Sequence, residues 1–349
     1  GLVGGNSGDV VNAVVRAADL STWACGTTRS TNLNATSGTS RGGNDAFVAR
    51  FAEDGSALSV TYMGGSGDDS CRGIALDLQG NVFVTGGTDS INFAMVGTPA
   101  AGAVRSQKAT SDLDAFVARL SDASTITWSG FVGGTGDDQA NAIAVDGAGR
   151  ATIAGYTSCV QASVAAPCVS PFPAFGSANA YETQNPARQA FAARVAANGQ
   201  SLEYAGVLSG TGSTSMAYGI ALDSASGTAV VVGETNSAAD LPAAAGFRKT
   251  ANTRPASDDA LGDAADGFAA RINAAGSNLD YFTLLTGTNN GTVYNADRAF
   301  AVKLLADGSA MVAGETSAGD FPANASGVRV GGTQGNTLSG SMDAYLLHL

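Results

Sequence analysis

The sequence predicts an all-β fold of five four-stranded antiparallel units, and three observations carry the prediction. A six-residue pattern recurs five times, as DAFVAR at 45 and 114, QAFAAR at 189, DGFAAR at 266 and DAYLLH at 343. A second pattern, an apolar strand ending in glycine and threonine, alternates with it as CGTT at 25, TGGT at 85, AGYT at 154, VGET at 232 and AGET at 313. The composition agrees, with 47 glycines against 8 prolines and only 14% charged residues, the profile of many short strands joined by turns. Two interleaved motifs in constant order over 349 residues indicate one repetitive architecture rather than unrelated domains. The arrangement expected of such units is a five-bladed β-propeller, a single domain over 1–349.

Each unit divides into strands A to D, counted from the inside of a blade outward. In the second unit these fall at 73–78, 81–88, 114–120 and 126–134. Gln79-Gly80 closes the A–B hairpin, as Gly147-Ala148-Gly149 and Asp307-Gly308 do in the third and fifth units, because glycine takes a positive φ without steric cost. The blades are expected at about 9–65, 72–134, 141–210 and 217–287, with the fifth made of 298–349 plus 1–5. Ring closure is read from the chain ends. The last C strand, 343–349, has nothing after it, and LVGG at 2–5 matches the D-strand ends FVGG at 131 and YMGG at 62. The N-terminal segment is therefore expected to pair as strand D beside that C strand, removing two unpaired edges.

The formal net charge of −12 excludes nucleic acid and anionic lipid as partners, because an acidic surface gains nothing from phosphate. Cationic or neutral partners, protein or glycan, remain. No apolar run approaches the length needed to span a bilayer. The sequence begins at Gly1 without Met, as a processed or excised chain would. The four cysteines, Cys25, Cys71, Cys159 and Cys168, lack zinc spacing, and their even number suits two disulfides: Cys159–Cys168 within one loop and Cys25–Cys71 between neighbouring blades. That pairing implies an oxidising location, extracellular, cell-surface or periplasmic.

These motifs resemble the bacterial β-propeller repeat (SBBP) family. The resemblance rests on DAFVAR at 45, MGGSGDD at 63, GIALD at 73, GNVFVTG at 80, and the loop signatures DLP at 240 and DFP at 320, and it extends over essentially the whole chain. It implies a secreted or surface-exposed bacterial protein, and it supplies no catalytic residue and no cofactor.

Candidate chemistry is sparse. The acidic turns carrying Asp68, Asp69, Asp137 and Asp138 offer oxygen ligands for calcium, but no full ligand loop surrounds them, and carboxylates beside repeated glycines also build Asx-type turns. The repeated arginines Arg50, Arg119, Arg194 and Arg271 are expected to pair structurally with Asp77, Asp146 and Asp223 at the ends of A strands. His348 is the sole histidine, so a Ser-His-Asp triad would depend on it alone. Glu234 and Glu315 occupy equivalent positions in VGET and AGET, where other units carry Thr27, Gly87 and Tyr156. As paired carboxylates they are the one glycosidase candidate, though rotational equivalence reads equally as repeat drift. The long B–C connections, at 29–44, 89–113, 158–188, 236–265 and 317–342, exceed ordinary hairpin loops and are the expected recognition surface. Phe172, Phe175, Tyr181, Phe247 and Phe321 in them are binding candidates, with pinning of the loops onto the blades as the alternative. The expected function is a noncatalytic extracellular binding or scaffolding module, with a lectin-like carbohydrate binder second and a glycoside hydrolase third.

Overall fold

The computed structural model describes residues 1–93, 104–105, 112–122, 125–134, 136–158, 168–173, 180–183, 188–210, 214–236, 265–286, 296–317, 321, 329–330 and 342–349. Among them there is no helix. The first sheet is β1 (Asp9–Arg16), β2 (Thr22–Thr28), β3 (Asp45–Phe51) and β4 (Ala57–Met63), in that order. The second is β5 (Asp69–Leu76), β6 (Val82–Thr88), β8 (Asp114–Asp122) and β9 (Thr125–Val132), with the two-residue β7 (Val104–Arg105) added outside β9. The third is β10 (Asp138–Val145), β11 (Ala151–Thr157), β14 (Gln189–Val195) and β15 (Leu202–Val207). Its B–C connection holds a separate hairpin of β12 (Cys168–Pro173) and β13 (Ala180–Thr183). The fourth is β16 (Ser215–Leu222), β17 (Ala229–Thr235), β18 (Asp266–Ile272) and β19 (Leu279–Leu285). The fifth is β20 (Arg298–Leu304), β21 (Ala310–Thr316), β23 (Asp343–His348) and the short β22 (Arg329–Val330). Two compact units result, Gly1–Ile153 with Ala193–Glu203, and Ala154–Ala192 with Tyr204–Leu349.

One device explains both sequence motifs. In four sheets the A strand carries a β-bulge, so that Asn12, Arg72, Tyr218 and Phe300 are extra residues opposite the B strand. The bulge drives the carbonyls of Val10, Ser70, Met216 and Arg298 onto Gly26, Gly86, Gly233 and Gly314, where any Cβ would overlap them. On its other neighbour each glycine faces the aromatic of the C-strand motif, in the pairs Gly26–Phe47, Gly86–Phe116, Gly233–Phe268 and Gly314–Tyr345. A large ring over a bare backbone restores the packing that the missing side chain gives up. The glycine of the GT motif and the aromatic of DAFVAR are thus two halves of one contact.

The B strands β6, β11 and β17 are buried at every residue. Their near-continuous apolar runs follow from burial on both faces. The A–B turn expected at Gln79-Gly80 is present: Gly80 has φ of 81° and the Asp77 carboxylate accepts from the Gln79 and Asn81 amides.

The chain ends differ from the closure expected of them. The strand beside β23 on its outer side is β22, with Arg329 opposite His348 and Val330 opposite Leu347. Residues 1–5 form no strand. Asp9 captures the Gly5 amide and Asn32 the Asn6 amide, folding the segment back on the first sheet and leaving Leu2 89% exposed. The glycine turn of LVGG recurs where Asp69 holds Gly65 and Asp138 holds Gly134, but Leu2 and Val3, unlike Tyr62-Met63 and Phe131-Val132, belong to no strand.

Candidate functional site

Four junctions join the start of a C strand to the start of the following A strand. The amides of Asp69, Asp138, Ser215 and Asp297 donate to the carbonyls of Asn44, Leu113, Arg188 and Ala265, at 2.6–2.8 Å. Side chains at these junctions come in pairs: Asp45 with Asp69, Asp114 with Asp138, Gln189 with Ser215, and Asp266 with Asp297. In the third, both acids give way to neutral groups together. Burial pushes the Asp69 carboxyl upward, the Asp45 charge adds to the shift, and hydrogen bonds from Thr88, the Gly65 amide and Ser90 oppose it.

The calcium candidates are engaged in these turns. Asp68 accepts from the backbone and side chain of Asn44, and Asp137 from the Leu113 amide. Asp69 accepts from Gly65 and Ser90, and Asp138 from Gly134. Among the described residues no group of three or more His, Cys, Asp or Glu side chains is placed to hold a metal.

The A-strand aspartates find their hydrogen bonds close by in sequence. Of the expected arginine–aspartate pairs, Asp223 and Arg271 interact through charge: the Ser226 hydrogen bonds, with help from the Arg271 charge, hold the Asp223 carboxyl low. Asp77 is satisfied by Asn81, Asp146 by Arg150, and Asp223 by Ser226, all within four residues in sequence. Local partners order less chain than a cross-strand arginine would. The arginines turn instead to the start of their own B strand. Arg50 bonds Ser21 and Asp19 and lies over Trp23, Arg194 bonds Thr152, and Arg271 bonds Thr228. Arg119 lies over the Phe83 ring. His348 follows the same rule, with Nε2 2.7 Å from Ser309 Oγ. Ser309 donates to Asp307, so the carboxylate orients the serine rather than the imidazole, and the three do not form a triad.

Phe321 is core, not a recognition residue. It is 8% exposed and stacks on Tyr345 with centroids 4.5 Å apart. Phe93 meets Phe116 in the same way at 4.7 Å. In these two sheets the aromatic that follows the B strand packs on the C-strand ring. Phe175 and Phe247 lie outside the described residues, as do the side chains of Phe172 and Tyr181, which fall in β12 and β13. Cys25 and Cys71 form a disulfide between β2 and β5. Cys159 lies outside the described residues.

The polar cluster that stands out was only half legible as Glu234 and Glu315. Arg298, at the start of β20, bridges both: Nε is 2.5 Å from Glu234 Oε2 and Nη1 is 2.7 Å from Glu315 Oε1. Tyr218 donates to the other oxygen of Glu234 at 2.6 Å. Burial, then the bond to Glu234, pushes the Tyr218 hydroxyl well above the ordinary phenol range, so it stays a donor. The two bulge residues Tyr218 and Phe300 meet beside this chain with ring centroids 5.5 Å apart. Gly219 permits the approach, since a Cβ there would lie 2.9 Å from the Phe300 carbonyl oxygen. Tyr218 and Phe300 carried no motif signal, because the bulge that presents them breaks the alternation from which strand faces are read.

No curated protein matches the chain. Among solved structures it is similar to a protein of unknown function from Dyadobacter fermentans, at 11% identity and a TM-score of 0.44, over 91% of this chain and 79% of that one. Residues 60–94 match the family model of the beta-propeller repeat, SBBP. The matched stretch runs from the end of β4 through the acidic turn, the bulged β5 and the glycine-bearing β6. Residues 60–94 thus carry a copy of the SBBP β-propeller repeat.

Proposed function

We propose that the chain is a noncatalytic binding or scaffolding module of the bacterial exterior. Its sheets are the blades of one five-bladed propeller, and its five long B–C connections are the partner-facing surface. The β-propeller repeat points to a binding or scaffold role. The observation carrying the noncatalytic reading is the engagement of Glu234 and Glu315, the acid pair that the repeat motif singles out. A glycosidase needs one carboxyl to protonate the leaving group and another to attack or to activate water. Glu234 already accepts from Arg298 through one oxygen and from Tyr218 through the other, and Glu315 shares the same guanidinium. The buried Cys25–Cys71 bond supports an oxidising compartment, and the net charge of −12 supports cationic or neutral partners.

Two measurements test this reading. Replacing 94–111 and 237–264 singly by short Gly-Ser turns, which keeps Ser90, Phe93, Leu113, Asn236 and Ala265 in place, is expected to abolish co-purification of the native partner from the producing cell envelope while leaving the fold intact by circular dichroism. Retention of the partner by both variants refutes the loop surface. Incubation with mixed polysaccharides is expected to release no reducing ends, and turnover that disappears in Glu234→Gln or Glu315→Gln refutes the noncatalytic assignment.

A further inference from the structure

We propose that Phe300, Arg298 and Glu315 form a saccharide-binding subsite on the inner strands of the fifth sheet, distinct from the B–C loops. Phe300 is 43% exposed although it sits inside a strand, because the bulge turns it out of the packed face. Its neighbour Tyr218 braces the ring from the adjoining sheet. Arg298 and Glu315 face each other directly across β20 and β21, with side chains 33% and 26% exposed. A guanidinium carries five N–H donors, and Arg298 directs one from Nε to Glu234 and one from Nη1 to Glu315. Glu315 spends one oxygen, leaving the other as an acceptor. An unspent donor and an unspent acceptor thus lie side by side, held in place by the ion pairs, next to an exposed aromatic face.

That combination fits a vicinal diol, in which one hydroxyl donates to Glu315 and the next accepts from Arg298, while the apolar C–H face of a pyranose ring covers Phe300. Charge favours a neutral ligand over an anion, because Arg298 carries one positive charge against the two negative charges of Glu234 and Glu315. The ion pairs preorganise the polar groups, so binding need not order them again.

The test is saturation-transfer NMR on the whole chain with the methyl pyranosides of glucose, galactose and mannose, and with cellohexaose as the extended-chain arm. Transfer to ring C–H protons of at least one probe is expected, saturable in the millimolar range. Phe300→Ala and Glu315→Gln are each expected to weaken it by about tenfold, the scale of one lost stacking or hydrogen-bonding contact, with Phe300→Tyr restoring it. Cellohexaose binding tighter than the methyl glucosides assigns the site to a chain interior, and equal binding assigns it to terminal sugars. No saturable transfer from any probe, or transfer unchanged in Phe300→Ala, overturns the proposal. Either result leaves the loop-mediated reading to its own co-purification test.

Discussion

Removing the Cys25–Cys71 disulfide should destabilise the first compact unit. The bond joins residues 46 apart in sequence, and both cysteines are fully buried among Ile74, Val84 and Phe116. Constraining an unfolded loop of that length is worth about 4 kcal/mol at 25 °C in the chain-entropy account. Alanine at each position keeps the strands and loses little apolar volume, so the double variant isolates the cross-link. Trp23 and Trp128, the two tryptophans of the chain, both lie in the first unit and report it selectively by fluorescence. Urea titration of Cys25→Ala/Cys71→Ala should move the tryptophan transition down by about 2–5 kcal/mol. Dithiothreitol should shift the unaltered protein similarly. A shift below about 1 kcal/mol, within reach of ordinary surface changes, would show that the link constrains nothing, and the argument from loop length would be wrong.

Three further outcomes follow from the junctions, the glycines and the repeat. The Asp69 carboxyl is raised in the folded state, so the native protein binds a proton more readily than the unfolded chain; that contribution appears as pH falls through the raised folded value and is lost again as pH rises through it. The stability of the unaltered protein relative to Asp69→Asn should therefore increase on acidification from pH 7 toward 4, and an unchanged difference in urea midpoint refutes the shift. Gly86→Ala drives a methyl into the Ser70 carbonyl and against Phe116, and should cost about 3 kcal/mol or more. Gly80→Ala, in open space at φ of 81°, should cost about 1 kcal/mol, and equal midpoints for the two refute the close-approach account. If the five sheets form one propeller, small-angle scattering should give a radius of gyration of about 20 Å for 349 residues, and a value half as large again refutes a single compact ring.

The order of strands was legible because the two motifs are the two sides of one glycine–aromatic contact, and their alternation fixes B before C in every unit. The start of strand A was not. The sequence pattern places it at Gly73, whereas β5 begins at Asp69, because the extra residue Arg72 shifts every side chain before it to the opposite face. The same shift hid Tyr218 and Phe300. The arginines are legible only in part, since Arg271 acts on Asp223 by charge while the hydrogen bonds to the A-strand carboxylates come from elsewhere. Repetition identified them as structural, but sequence proximity, not repetition, decides which group reaches an A-strand carboxylate first, and Asn81, Arg150 and Ser226 are nearer than any C-strand residue. Phe321 was ambiguous in sequence because an aromatic in a long loop is the same string of letters whether it faces a ligand or Tyr345.

The bulge also bears on how a repeat acquires function. In the four sheets where it is seen, the glycine beneath the carbonyl and the aromatic over the glycine are held to one chemical type by sterics, and substitution at either disturbs a packed contact. The bulge residue itself is turned away from that contact, and its identity runs from Asn12 and Arg72 to Tyr218 and Phe300. Asn12, Arg72 and Phe300 are exposed and Tyr218 is half-buried. Each of these four sheets thus spends its fixed residues on holding one position open on its first strand, where side chains of any polarity are tolerated. In the fourth and fifth sheets that position is filled by two aromatics beside a fixed ion-pair chain. Drift at a sterically free site is sufficient to build such a cluster, with no change to the strands that display it.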